Sequence, residues 1–352
     1  MKKIAVVLFN LGGPDSPKAV KPFLFNLFND PAILTMPQPF RFALAKFISS
    51  MRNKKSKAIY QHMGGKSPIL EQTIAQAEAL EKRLKAQSPA GEEYKVFVSM
   101  RHWHPMSDVV VRKVKAYEPT HVLMLPLYPQ FSTTTTGSAF ADWKAKAKKH
   151  GLEVPTSEIC CYPVDRSFVA AQVKVIKDMY WKAAEDGIPR VLFSAHGLPE
   201  KIVAAGDPYQ WQVEKCAAAV AKVLAIDDLD WRICYQSRVG RLKWIGPSTE
   251  DEILQAGLDK KPLLVVPISF VSEHSETLVE LDIDYSNLAK AHEVPSYHRV
   301  PALSVEPFFI ETLADLCLKH EKDGHVSSFS KEWVCPQNFS KCACVVASRK
   351  GK

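Results

Sequence analysis

The stretch Lys2-Lys3-Ile4-Ala5-Val6-Val7-Leu8-Phe9-Asn10-Leu11-Gly12-Gly13-Pro14 decides the fold. Six consecutive apolar residues run into an asparagine, two glycines and a proline, the pattern of a buried strand ending in a turn. The apolar run is too short for a secretion signal, and no small-residue cleavage site follows it. A strand that is apolar at every position is covered on both faces, as in parallel sheets. Outward from it, apolar runs rich in β-branched residues recur at 94–100, 121–128, 190–195, 231–235 and 262–270. Amphipathic stretches at 69–87, 138–150, 167–185 and 208–225 separate them. This alternation predicts an α/β protein with two doubly wound lobes, residues 1–150 and 151–324, each around a parallel sheet. The alternation is lost from about residue 325, so 325–352 is expected to be a cysteine-rich extension.

The chain has 352 residues, 46% apolar and 24% charged, enough for one large core or two lobes. No run of about 18 apolar residues appears, so no membrane span is expected. The net charge of +8 is spread through the helical stretches without a basic, aromatic motif. Nucleic acid is therefore not an expected partner, whereas an anionic small molecule or a lipid surface suits the charge. Eight cysteines without a secretion signal point to a reducing compartment, hence the cytoplasm. The sequence leaves a homodimer open.

Ligands of open parallel sheets bind beyond the carboxyl ends of the strands, and the unusual polar residues gather there. These ends carry Asn10, Arg101-His102-Trp103-His104, Tyr128-Pro129-Gln130, His196-Gly197-Leu198-Pro199, Gln236-Ser237-Arg238 and Ser272-Glu273-His274-Ser275-Glu276. His196, held by a glycine and proline turn, is a candidate proton acceptor, although a lone histidine at a strand end is more often structural. His102 and His104 are expected to pack or to support. Glu273, Glu276, Glu280 and Asp284 are spaced to share one face of an α-helix. That column is either a solvated acidic face or, with His274 beside it, a path for a divalent cation or for departing protons.

Residues 31–55 are proline-broken and apolar, with Leu44, Phe47, Ile48 and Met51 on one helical face and a cationic end at Arg52-Asn53-Lys54-Lys55. They form either an ordinary packed helix or a greasy, basic lip over an apolar ligand that rests on a membrane.

Several blocks together resemble the ferrochelatase family. They are Leu192-Phe193-Ser194-Ala195-His196-Gly197-Leu198-Pro199, Gly206-Asp207-Pro208-Tyr209, Asn10-Leu11-Gly12-Gly13-Pro14, Gly64-Gly65-Lys66-Ser67-Pro68, Trp244-Ile245-Gly246-Pro247 and Ser272-Glu273-His274-Ser275-Glu276. The resemblance runs in order from residue 4 to about 320. It implies two Rossmann-like lobes enclosing a porphyrin cleft (a chelatase fold), with Fe²⁺ inserted into protoporphyrin IX to give protohaem. It implies that His196 and Glu276 face each other across the porphyrin centre as catalytic pair and metal contacts, extended by Glu273, His274 and Glu280. Leu11, Arg52, Tyr60, Ser67, Arg101, Tyr128, Trp244 and Phe270 fall at positions that line the macrocycle or hold its propionates. His102 and Glu273 stand where the family often has tyrosine and aspartate. Competing readings are a chelatase for coproporphyrin or cobalt, a porphyrin carrier without turnover, and a two-lobed periplasmic metal-binding protein. An inner-membrane surface on the cytoplasmic side is the expected peripheral site.

In the tail, Cys335, Cys342 and Cys344 make a C-x₆-C-x-C pattern. Some ferrochelatases hold a 2Fe–2S cluster on three such cysteines and a fourth from the body of the chain. This chain has Thr133 where the animal-type pattern puts the fourth, which leaves Cys160 or Cys161. Alternation along an extended segment would point those two to opposite faces. A zinc site and unliganded thiols are the alternatives.

Overall fold

The computed structural model describes residues 2–240, 242–320, 324–330, 333 and 335–350. Its strands are β1 (Lys2–Asn10), β2 (Glu92–Met100), β3 (His121–Pro126), β4 (Thr156–Ile159), β5 (Arg190–His196), β6 (Trp231–Gln236), β7 (Leu263–Pro267), β8 (Tyr297–Arg299) and β9 (Val326–Ser327). They form two sheets, ordered β2-β1-β3-β4-β9 and β6-β5-β7-β8, with every pair parallel.

β1 shows why the residues dictate this layering. Ile4 through Leu8 are all 0% exposed, because both faces of the strand are covered. Ile4, Val6 and Leu8 join one core layer with Leu80 and Leu84. Ala5, Val7 and Phe9 face the opposite layer, where Phe9 meets Phe140 at 5.3 Å and Trp143 at 5.6 Å between ring centroids. Each such edge-to-face pair adds about 0.5–1.5 kcal/mol to plain burial. A third layer, including Leu192, Cys234, Leu263 and Val265, covers the outer face of the second sheet.

The two sheets are not independent. Ile4, Val6 and Leu8 belong to the same contiguous core as Val191, Phe193, Leu264 and Val266. Phe168 and Ile176 of the helix Arg166–Ala183, with Phe309 and Leu313 of the helix Pro307–Lys319, complete that shared interior. Asp165 starts the first of these helices by accepting from Ser167 N at 3.0 Å and Phe168 N at 3.1 Å, which satisfies two of its free N–H groups.

Short strands carry too little pattern to be read in advance. β4 lies beyond residue 150 yet pairs with β3. The tail supplies β9, which pairs with β4 through Glu158↔Val326 and Ile159↔Ser327. The extension is thus stitched to the first sheet. It also packs on the second lobe at Gly206 (φ +97°), where a Cβ would lie 2.6 Å from Ser340 Oγ. Residues 331, 332, 334, 351 and 352 of the extension lie outside the described residues.

Candidate functional site

β5 delivers His196 at its last position, and the chain then turns sharply at Gly197. A Cβ on Gly197 would meet Gln236 O at 3.0 Å and Trp244 Cε3 at 3.3 Å, so only glycine lets β6 and Trp244 close around the turn. His196 Nδ1 lies 2.8 Å from Glu276 Oε2, with the two side chains 39% and 25% exposed. His274 Nε2 approaches the same Glu276 oxygen at 3.6 Å. Burial opposes charge on both partners of the main pair. The Glu276 charge and hydrogen bond, helped by Glu280, overcome it and raise the His196 pKa. His196 and His274 in turn hold the Glu276 carboxyl well below the usual carboxylate range. With Glu276 ionised, Nδ1 donates to it and Nε2 is left as the basic nitrogen.

Residues Glu276–Tyr285 form a π-helix, not the α-helix that the acidic spacing predicts. π-Helical turns are rare and concentrate at functional sites. Along it, exposure grows from Glu276 and Glu280, both partly buried, to Asp284 at the surface. Glu280 accepts from Gln236 Nε2 at 3.0 Å, Ser237 N at 2.9 Å and Tyr285 OH at 3.2 Å, as well as from the Ser237 hydroxyl. Burial first, then the Glu276 charge, push its pKa up. Ser237 sits at φ +61°, an uncommon conformation for a side chain, and from it turns both donors onto Glu280. Gln236 is fully buried. Its amide donates also to Glu276 O at 3.0 Å and accepts from Ser194 Oγ at 2.9 Å.

Glu273 is engaged elsewhere. Its Oε1 accepts from Arg299 Nη1 at 2.8 Å and Ala302 N at 2.9 Å. Against the cost of burial, Arg299 keeps its pKa below the ordinary value. Arg299 also forks onto Asp282, at 2.6 and 2.7 Å.

Residues from both halves of the chain close the other side. Tyr60, buried at the end of the helix Gln38–Gln61, reaches Ser275 and senses the Glu276 charge; burial drives its pKa up to about 12. Gln72 Oε1 accepts from Glu273 N at 2.7 Å, and Gln76 bonds Val271 O, Ser304 O and Ser272 Oγ. Phe270 packs against His274 with the rings tilted by 50° and their centroids 4.7 Å apart. Trp244 pairs with Pro199 beside His196, and its Nε1 is buried without a partner among the described residues, as is the Tyr128 hydroxyl. Leu11 and Ser67 flank the glycine turn after β1, where Ser67 N donates to Pro14 O at 2.8 Å. Arg52 lies over the Phe28 ring at 5.8 Å. Arg101 is committed to Asp30 at 2.8 Å and Ser138 at 2.7 Å. His102 beside it is buried and neutral, its pKa pushed down to about 3 by burial and by Arg101.

Residues that the sequence did not single out complete the site. Asp207, fully buried, accepts from Ser132 Oγ, Thr133 N, Thr133 Oγ1 and Tyr209 N at 2.6–3.0 Å, so the second lobe grips the threonine-rich turn of the first. Tyr209 packs behind the His196 backbone. Both lie in the quoted Gly206-Asp207-Pro208-Tyr209 block, which was the available signal.

A second cluster gathers Cys160, Cys161, Cys335, Cys342 and Cys344 in one buried group with Phe131 and Val345. Cys160 Sγ lies 3.0 Å from Cys344 Sγ and 3.2 Å from Cys161 Sγ. Cys160, Cys335 and Cys344 converge on Cys342, and those contacts hold its thiol well below its ordinary range. Cys160 and Cys161 do not point to opposite faces as alternation predicts. The extended strand ends at Ile159, and both thiols turn inward. Trp211, Trp333 and Phe339 wall the group, with ring centroids 5.4 and 5.7 Å apart. Among the described residues, no three His, Cys, Asp or Glu side chains stand in an arrangement that holds a metal ion.

Comparison with known proteins follows the same lines. The ferrochelatase family model matches residues 3–321. A ferrochelatase of Rickettsia bellii is 49% identical over 347 residues, 97% of this chain and 95% of that one. One of Caulobacter vibrioides is 51% identical over 345 residues, 97% and 98% of the two chains. Among solved structures, SirB from Bacillus subtilis with Fe³⁺ aligns at a TM-score of 0.50 and 14% identity, covering 88% of this chain and 92% of that one, a likeness of fold.

Proposed function

The chain belongs to the ferrochelatase family, and from that premise we propose that it inserts Fe²⁺ into protoporphyrin IX, releasing two protons and forming protohaem. The observation that carries the mechanism is the His196–Glu276 pair, 2.8 Å apart where β5 ends and the π-helix begins.

A free-base porphyrin must lose two pyrrole protons as the metal enters, and the flat ring must bend before its nitrogen lone pairs become accessible. Apolar contacts with the remote macrocycle supply the binding energy for that distortion. Tyr60, Tyr128, Trp244 and Phe270 offer such contacts, with Leu11, Ser67, Arg52 and Arg101 at the rim. His196 Nε2 accepts a pyrrole proton, and the Glu276 carboxylate stabilises the imidazolium that results. Two neighbouring carboxylates whose pKa values are driven apart divide the labour. Glu276 stays ionised, while Glu280 takes each of the two protons in turn from His196 and passes it toward Asp284 and solvent, which frees the imidazole for the second. A carrier that only binds has no use for such an exit. His196 and Glu276, with His274 nearby, are also the donors that Fe²⁺ meets first. Glu273, tied to Arg299, instead fixes the start of the π-helix.

The lip is exposed in a way that supports membrane contact. Phe40, Phe42, Phe47 and Met51 are 69%, 48%, 63% and 64% exposed along one helix, with Lys46, Lys54, Lys55 and Lys57 at the surface beside them. Aromatic and cationic residues together suit an anionic lipid interface. No helix of the described residues is long and apolar enough to cross a membrane.

The thiols supply the donor type and number that a 2Fe–2S cluster needs, with Cys335, Cys342, Cys344 and one of Cys160 or Cys161 as ligands, although they do not stand at ligating positions as they are. Their sulfurs crowd to 3.0 and 3.2 Å. Two thiolates on one tetrahedral metal, with bonds of about 2.3 Å, stand about 3.8 Å apart, so ligation would spread them. Such a cluster supplies a one-electron centre and four bonds that order the tail. The family model stops at residue 321, so Cys160 and Cys161 lie within the matched region and Cys335, Cys342 and Cys344 beyond it.

Anaerobic incubation of the protein with Fe²⁺ and protoporphyrin, then coproporphyrin, tests the function by following loss of porphyrin fluorescence. Binding without metallation of either porphyrin would refute it. Iron and acid-labile sulfide in protein purified without oxygen test the cluster separately.

A further inference from the structure

Gln212 lies on the helix Tyr209–Leu224, is 0% exposed, and plays no part in the chemistry at His196. Its Oε1 accepts from Phe131 N at 2.7 Å, which fixes the orientation of the amide. Nε2 therefore faces the thiols and donates to Cys335 Sγ at 3.2 Å and Cys161 Sγ at 3.5 Å. A neutral thiol is a weak acceptor and a thiolate a strong one, so two N–H donors aimed at these sulfurs gain strength once a cluster holds the sulfurs as thiolates.

We propose that Gln212 is a positioning residue for the 2Fe–2S cluster, whose N–H···S hydrogen bonds orient Cys335 and raise the cluster's reduction potential. The inference rests on the cluster reading above. Reduction adds one electron to a cluster held by thiolates, and hydrogen bonds to those sulfurs favour the more negative, reduced form. Dry aromatic walls strengthen the effect, because Trp211, Trp333 and Phe339 keep competing water away from the sulfurs. A glutamate here would keep the acceptor for Phe131 N while removing both donors and adding a charge against the thiolates.

The test compares wild type, Gln212→Met and Gln212→Glu, purified as full chains without oxygen. Iron and sulfide per chain are measured first, then the midpoint potential by mediated optical titration. Gln212→Met is expected to retain the cluster and be about tenfold harder to reduce, which is 59 mV more negative for one electron. Gln212→Glu is expected to shift further or to load less. A Gln212→Met potential equal to that of wild type overturns the proposal. Should that variant fail to load, spin-echo modulation of reduced wild type carrying ¹⁵N in glutamine side chains decides. A weakly coupled side-chain nitrogen supports Gln212 and its absence overturns it. Wild type free of iron and sulfide overturns cluster and inference together, whereas a loaded wild type with an unshifted variant overturns the inference alone.

Discussion

Removing the positive charge of Arg299 should damage stability in a pH-dependent way. Arg299 and Glu273 are 10% and 13% exposed, so Arg299→Met strands a carboxylate that keeps only neutral donors, Ala302 N and the Thr277 side chain. Breaking one side of a buried pair costs about 3–5 kcal/mol. The fork onto Asp282, which is 35% exposed, adds at most about 1 kcal/mol more. Against a global stability of about 5–15 kcal/mol, the loss at neutral pH should be plain in equilibrium urea unfolding. The pair depresses the folded-state pKa of Glu273. Its contribution is therefore complete above the unfolded carboxylate value, about 4.3, and disappears as pH falls through the lower folded value. The gap between wild type and Arg299→Met should thus close in acid. Adding Glu273→Gln to the variant should recover much of the loss at neutral pH by removing the stranded charge. A neutral-pH loss below about 1 kcal/mol, within the range of a surface ion pair, would refute the reasoning, as would a gap that does not change with pH.

His196→Ala should slow metallation by about 10²–10⁴ while porphyrin still quenches protein fluorescence; near-normal turnover removes His196 from the mechanism. Glu276→Gln should slow it about 100-fold. Because Glu276 raises the His196 pKa, the acid limb of the rate profile should move to lower pH in that variant, and a limb that stays put contradicts the pairing. Changing Phe40, Phe42 and Phe47 to serine should release the protein from anionic liposomes in sedimentation. Each fully inserted phenylalanine is worth about 1.5–3 kcal/mol, so unaltered binding would mean that the lip never enters lipid.

The long elements were legible because their burial is uniform. β1 is apolar at every position from Ile4 to Phe9 and could hardly be anything else, and the helices Ile69–Gln87 and Ser138–His150 have the limits that their periodicity predicts. β8 and β9 span three and two residues, too few for any period to show. The acidic residues after β7 were visible as a column, but not the helix type that carries them. An i,i+4 spacing is read the same way on α- and π-turns, and the extra residue per turn is set by tertiary contacts such as Gln236 to Glu276 O. Arg299 could not be assigned to Glu273 from 26 residues away. The same holds for Asp207, whose three partners at Ser132 and Thr133 lie in the other lobe. Cys160 and Cys161 were misread for a simpler reason: alternation applies only while the chain remains a strand, and it stops at Ile159.

The shared interior sets how a rigid, disc-shaped substrate gets in. Two lobes joined by a thin strap can gape like a clamshell, since a hinge needs only a few residues to rotate. Here Ile4, Val6 and Leu8 share one packed interior with Phe193 and Leu264, so gaping would tear open the largest core of the molecule. Passage must instead come from the rim. Within the segment 31–55 only Ala45 and Ser49 are fully buried, and Phe42 rests on Phe25 at 5.2 Å, so lifting the segment disrupts far less packing than parting the lobes. The body is then a fixed anvil, and the way in for porphyrin and out for haem lies at the rim that also presents Phe40, Phe42 and Phe47.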